Sequence, residues 1–180
     1  MAYDYDVLVV GSGFGGSVTA LRATEKGYRV GVIEAGRRFD TTTLPTTSWQ
    51  LRRFLWAPKL GLRGIQRITP LKDIAVLSGA GVGGGSLVYA NTLYEPLAPF
   101  YVDPQWGHIT DWRDELAPFY DQAKRMLGVN EVPEDTPPDA YIRELADHLG
   151  VADTYHRTPV GVWFGKPGER VADPYFGGEG

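Results

Sequence analysis

Cysteine is absent from the chain. Disulfides, thiolate metal sites and a cysteine nucleophile are therefore excluded within these residues. Histidine is scarce: only His108, His148 and His156 occur, and their spacing matches no metal-ligand pattern. The net charge is −4, and no basic run stands out, which makes nucleic acid and anionic membrane poor candidate partners. No apolar run approaches transmembrane length. No N-terminal targeting segment is visible either, because strand-like sequence starts almost at Met1 and breaks at Gly11. A cytoplasmic location is the resulting expectation. Internal repeats are missing, and 180 residues favour one domain with a real core.

What is present is concentrated at the start. Residues 5–34, YDVLVVGSGFGGSVTALRATEKGYRVGVIE, read as strand, glycine turn, helix, strand and terminal acid. Residues 6–10 form a valine-rich run of the kind found in a strand buried on both faces. The turn fits G-x-G-x-x-G at Gly11, Gly13 and Gly16, with Ser12, Phe14 and Gly15 between them. Gly11 allows the tight turn, Gly13 lets backbone approach a pyrophosphate, and Gly16 lets the helix pack closely on the strand. The helix N-terminus adds free N–H groups and a positive dipole end. A helix is predicted over residues 17–26, with Gly27 as its C-terminal cap, then a strand over residues 29–33. Glu34 ends that strand where a carboxylate can accept the ribose hydroxyls of an adenosine. An acid there disfavours a 2′-phosphate, and hence NADP relative to FAD or NAD.

Beyond Glu34 the chain leaves the sheet. A loop with three successive threonines leads to a short helix within residues 48–56, then to two short strands near residues 65–68 and 73–77. The run Ser78-Gly79-Ala80-Gly81-Val82-Gly83-Gly84-Gly85-Ser86 is too short for an interdomain linker and suggests close backbone approach to a ligand. Residues 91–111 are irregular and rich in proline and aromatics. Leu116, Phe119, Tyr120, Ala123, Met126 and Leu127 fall on one helical face that reads as core, ended by Gly128. Pro118 predicts a kink or a helix start near Ala117, with Asp111 capping a preceding turn. A second helix is predicted over residues 139–149, stopped by Gly150, then strand character over residues 160–164. Two parallel strands and one crossover helix are few for an open nucleotide-binding sheet, so exposed apolar surface is expected on the sheet and on the two late helices.

Three stretches resemble the glucose-methanol-choline (GMC) family of FAD-dependent oxidoreductases, in its bacterial cholesterol oxidase-like branch. They are DYDVLVVGSGFGGSVTALRATEKGYRVGVIEAG (residues 4–36), SGAGVGGGSLVYANTLYEP (residues 78–96) and DPQWGHITDWRDELAPFYDQAKRMLGV (residues 103–129). The first is shared by many flavoproteins; the second and third together are more specific. The resemblance implies an α/β, Rossmann-like FAD-binding domain, doubly wound with three-layer ββα architecture. It would be incomplete here at residues 1–100, with the mainly helical beginning of an α+β substrate domain at residues 101–180.

It also implies a cofactor site. Gly11, Ser12, Gly13, Phe14, Gly15 and Gly16 would surround the FAD pyrophosphate, with Glu34 on the ribose. Gly79, Gly83, Gly84, Gly85 and Ser86 would form a flavin-side loop, and Tyr89, Ala90, Asn91 and Thr92 would run under the isoalloxazine. The chain departs from the family at Ala80, where many members carry a basic residue, and at Tyr89, where asparagine is common in this branch. Family members are much longer, and their catalytic residues lie in parts with no counterpart here, so no catalytic or metal residue is assigned. The implied activity is oxidation of an alcohol, a sterol 3-hydroxyl being one candidate, with hydride passing to flavin; these residues alone are expected to be inactive. A complementing C-terminal chain is a candidate partner. The other readings are a non-enzymatic dinucleotide-binding module or subunit, a truncated gene product and an NAD-dependent dehydrogenase, the last leaving the run from Gly79 to Ser86 unexplained.

Overall fold

The computed structural model describes residues 3–175. The chain divides into two compact units, Met1–Ala90 and Asn91–Gly180.

The first unit is built on strand β1 (Val7–Val10), helix α1 (Phe14–Glu25) and strand β2 (Val30–Ile33). β1 and β2 pair in parallel, with Val7 opposite Val30 and Val10 opposite Ile33. At their start, Asp6 receives two bonds from the Arg29 guanidinium and a third from the Arg29 N–H. That clamp aligns the strands. α1 starts at Phe14 rather than Ser17, because Gly13 is already extended and serves as N-cap. Its end is a Schellman motif: Gly27 has φ +87°, its N–H donates to the Thr24 carbonyl, and the Tyr28 N–H donates to the Ala23 carbonyl.

The burial on both faces predicted for β1 is not found. Val9 is buried beneath α1, whereas Leu8 and Val10 on the opposite face are exposed, Val10 at 85%. The physical reason is that β1 and β2 form a sheet of two strands, and α1 covers only one side. α2 (Leu51–Phe54) and the antiparallel pair β3 (Trp56–Ala57) and β4 (Leu62–Arg63) follow. A longer antiparallel hairpin comes next, β5 (Gln66–Pro70) with β6 (Ala75–Gly79). The strand end at Gly79 feeds the second glycine run, which turns into a 3-10 helix at Gly84–Leu87.

The second unit contains α3 (Ala98–Tyr101), α4 (Trp112–Leu127), β7 (Asn130–Glu131), α5 (Pro137–His148) and β8 (Pro159–Val160). β7 and β8 pair antiparallel, and Thr92 bridges to Val160. Asp111 caps α4 itself and not a separate turn, accepting from the Arg113 and Asp114 N–H groups. Pro118 lies inside this continuous helix. Gly128 ends it at φ +62°. α5 starts at Pro137, with Thr136 and Asp139 forming a capping box. The apolar stripe of α4 is not core in this chain: Phe119 is 60% exposed, and Met126 is half exposed. Tyr141 and Leu145 of α5 are exposed as well. Exposed apolar surface on the sheet and both late helices is thus present. Among the described residues no helix is long and apolar enough to cross a membrane.

A tight dependence on a glycine lies where α1 crosses β1. A Cβ on Gly16 would lie 1.9 Å from the Gly11 carbonyl oxygen and 3.3 Å from Val9 Cγ1. Backbone on one side and a buried side chain on the other leave no relief. Gly16→Ala is expected to cost about 3 kcal/mol or more of stability, seen as a lower urea midpoint by circular dichroism. An unchanged midpoint would contradict this packing.

Candidate FAD-binding site

Three loops of the first unit converge beside the N-terminus of α1. They are the turn from Gly11 to Gly16, the segment from Glu34 to Arg37, and the second glycine run. β1 delivers the first: the Gly11 N–H donates to the Ile33 carbonyl at 2.7 Å, and φ +91° at Gly11 turns the chain into the helix. β2 delivers the second, since Glu34 follows its last residue. β6 delivers the third.

Glu34 ties them together. Its Oε2 accepts from the Ser12 N–H at 2.9 Å and from the Ser12 hydroxyl at 2.7 Å. Its Oε1 accepts from the Gly36 N–H at 2.8 Å. These bonds hold its pKa below the ordinary 4.5, the Ser12 N–H being the strongest cause and the Gly36 N–H the next, against a smaller opposing effect of burial. A carboxylate offers roughly four acceptor positions, and three are taken by these contacts. Capacity is left for one ribose hydroxyl more readily than for two.

The two glycine runs differ in what surrounds them. A Cβ on Gly11, Gly13 or Gly15 would meet nothing within 4 Å. The first turn therefore keeps an open cradle over α1. No side chain caps α1, and no acid lies in its first turn, so its N-terminal donors and dipole suit an outside anion. The second run is closed. A Cβ on Gly79 would lie 1.9 Å from the Gly84 carbonyl oxygen, and one on Gly84 2.8 Å from Gly13 Cα. Gly36 approaches Gly81 in the same way, its Cβ position being 2.3 Å from the Gly81 nitrogen. The close approach at these positions is to the chain's own backbone. The Val82 N–H donates to the Arg37 carbonyl, and the Gly83 N–H donates to Ser12 Oγ at 3.2 Å.

Ala80, where a basic residue is common in the family, is 3% exposed, and its N–H donates to the Ile65 carbonyl. Phe14 and Tyr89 pack edge to face with centroids 5.7 Å apart, and a Cβ on Gly85 would lie 3.2 Å from the Phe14 ring. Gly11 to Gly16, Glu34, Gly79 and Gly83 to Ser86 are thus gathered in one unit, with Tyr89 joined through Phe14. Ala90 ends that unit. Asn91 and Thr92 belong to the second, where Thr92 bridges Val160 and Asn91 adopts φ +58° near Gly161. Gly36 and Arg37 carry contacts that were not foreseen; the signal available was a glycine two residues past the acid.

Elsewhere the chemistry is sparse. His108 and His156 are exposed and contact local carbonyls, of Pro104 and Thr154, and His148 is exposed at the end of α5. Among the described residues no three His, Cys, Asp or Glu side chains are grouped to hold a metal ion. A cavity of about 270 Å³ in the second unit is lined by Phe100, Trp106, Trp112 and Leu116. Its two indole N–H groups already donate to carbonyls of Phe100 and Trp106, which leaves its walls apolar.

The profile of a family described as an FAD binding domain matches residues 6–48. The whole chain is 63% identical to cholesterol oxidase of Mycobacterium tuberculosis (strain ATCC 25618 / H37Rv) over 185 residues, which cover 32% of that protein. Cholesterol oxidase of Acinetobacter baumannii is 40% identical over 182 residues, 99% of this chain and 33% of the relative. A 2-methyl-1,2-propanediol dehydrogenase of Mycolicibacterium austroafricanum is 29% identical over 136 residues, 69% of this chain and 24% of the relative. The chain spans about a third of the length of the cholesterol oxidases it matches. Fold, cradle and matches together define an α/β FAD-binding part of a flavoprotein. Over its whole length the chain is similar to the cholesterol oxidases, and the matches fit an N-terminal fragment of a GMC-type oxidoreductase.

The depressed pKa of Glu34 has a consequence for acid stability. As pH falls, the unfolded chain takes up the proton before the folded one does. The contribution of Glu34 is therefore complete above its ordinary 4.5 and is lost as pH drops through the lower folded value. Asp6 and Asp40, both lowered to about 2, act with the same sign. Glu34→Gln should be less stable than wild type at pH 7, with the difference shrinking below pH 4.5. Urea midpoints from pH 7 to 3 measure it; a gap that persists undiminished into acid would assign the effect to something other than the charge.

Proposed function

We propose that this chain forms the FAD-holding part of an oxidoreductase that oxidises an alcohol. By likeness to the cholesterol oxidases, the substrate class is a sterol hydroxyl. The observation that carries the cofactor assignment is the open cradle at Gly11, Gly13 and Gly15 above an uncapped helix N-terminus. An anionic pyrophosphate has the charge, and a dinucleotide the shape, to use it.

In this reading the first unit is the dinucleotide part of a three-layer ββα, Rossmann-like fold whose sheet is completed by further strands. The second unit is the beginning of the substrate domain. Gly11, Gly13, Phe14, Gly15 and Gly16 line the pyrophosphate, and Ser12 orients Glu34. Glu34 accepts a ribose hydroxyl and repels a 2′-phosphate, which favours FAD over NADP. Gly83, Gly85 and Ser86 lie on the flavin side, with Tyr89 and Ala90 leading on beneath the ring. FAD supplies the acceptor for the hydride leaving the carbinol carbon. The proton from the hydroxyl needs a base, and none of His108, His148 and His156 is assigned to it. Turnover is accordingly expected to require residues beyond these.

The cradle can be tested apart from the fold. Gly13 has an ordinary φ of −66°, and a methyl group there touches no protein atom within 4 Å. Gly13→Ala should lower the stability of the cofactor-free chain by about 1 kcal/mol or less, as a poorer N-cap. It should weaken FAD binding by about tenfold or more, by placing a methyl group where the pyrophosphate approaches. Flavin fluorescence titration reads the second quantity and urea denaturation the first. Saturable FAD binding that is indifferent to the methyl group would remove the pyrophosphate from this turn.

A further inference from the structure

We propose that Ser12 is a positioning residue for the flavin-side loop: its hydroxyl, held by Glu34, orients the Gly83 N–H and so sets the second glycine run against the pyrophosphate turn. The inference rests on the FAD-site reading above for its consequence, and on local geometry for the contact itself.

Ser12 is 7% exposed and is the buried polar side chain among the described residues. A hydroxyl has one proton to give and two lone pairs to offer. The proton goes to Glu34 Oε2 at 2.7 Å, since an ionised carboxylate only accepts. With that direction set, a lone pair of Oγ is left to accept from the Gly83 N–H at 3.2 Å. The backbone at Ser12 is itself restrained. Its N–H is bound by Glu34, and its carbonyl accepts from the Ser17 hydroxyl at 2.7 Å. The hydroxyl therefore projects from a rigid point.

What it reaches is the hinge of the second loop. Gly83 has φ +107° and Gly84 φ +57°, and the 3-10 helix Gly84–Leu87 starts directly after Gly83. Gly84 lies in backbone contact with Gly13. A turn of two left-handed glycines has many alternative conformations, and one directed bond at its first residue selects among them. The adenosine side of the cofactor uses the first turn and Glu34. The flavin side also needs the second loop in place. Loss of the Ser12 hydroxyl should therefore weaken FAD more than ADP.

The experiment measures amide hydrogen exchange of Gly83 in the cofactor-free chain, together with FAD and ADP affinities, in wild type, Ser12→Ala and Ser12→Thr. The Gly11 amide, bound to the Ile33 carbonyl, reports whether the fold is intact. Ser12→Ala is expected to speed Gly83 exchange roughly fivefold and raise the FAD Kd by a similar factor. The ADP Kd should stay within about twofold, as Glu34 keeps its two backbone donors. Ser12→Thr, which retains the hydroxyl, should restore both values. If Ser12→Ala also unprotects Gly11, Ser12→Cys, which keeps a side-chain donor but offers a weaker acceptor, is expected to show the same separation. Unchanged Gly83 exchange overturns the proposal, and so does an equal loss of FAD and ADP, which would place the effect on Glu34. If wild type bound neither nucleotide, the cofactor reading would fall, and Gly83 exchange alone would decide the contact.

Discussion

The first unit depends on one charged acceptor, the Glu34 carboxylate. It takes two donors from Ser12 and one from Gly36, so the end of β2 is bonded both to the glycine turn and to its own continuation. A carboxylate held by backbone N–H groups is strongly favoured in its ionised form. Here the charge lies beside the positive end of α1, where it is favourable as well. The same residue type that suits a ribose thus organises the loops around it. Three acceptor positions of this side chain are engaged in holding the loops together.

From this centre the division of labour between the glycine runs follows. In the first run Gly11, Gly13 and Gly15 have space above them, while Gly16 has none. In the second run, Gly79 and Gly84 face backbone at distances no side chain allows. Composition alone makes the two runs look alike. Their physics differs: one is glycine to leave room, the other to let chain pass chain. The second run is therefore packed against Gly13 and the loop at Gly36, with Gly83 and Gly85 facing side chains, Ser86 Oγ and the Phe14 ring, rather than backbone.

The order of elements from β1 to β2 was legible because each is specified locally. Valines, a glycine turn, small helix residues and Gly27 act within a few positions of one another. The start of α1 was placed three residues late, since a glycine N-cap without side-chain bonds leaves no compositional mark. Helices α4 and α5 were legible from their stops at Gly128 and Gly150, and Pro118 sits within α4 without starting it. Burial was not legible. The valines of β1 and the stripe from Leu116 to Leu127 have the pattern of core, yet Val10 and Phe119 are exposed. A residue's pattern records which face it takes; burial also requires a neighbouring element, and that information lies outside the segment. The same limit hid the docking of Gly36 on Gly81, a contact between residues far apart in the chain.

These exposed faces bear on how the cofactor site is held. The open cradle and the exposed side of β1 and β2 belong to the same two-stranded sheet, so the turn is anchored from one face by α1 and laterally by the Glu34 bonds. Hydrophobic burial is the larger source of rigidity in most nucleotide-binding sheets, and here it is supplied to Val9 but not to Leu8 or Val10. The directed bonds of Glu34, Ser12 and Gly83 consequently carry a greater share of the positioning than they would in a fully covered sheet. Covering the second face would stabilise the strands without altering those bonds, because none of them lies on it. The loops that the proposed FAD reading uses are thus positioned by bonds within residues 11–36 and 79–86.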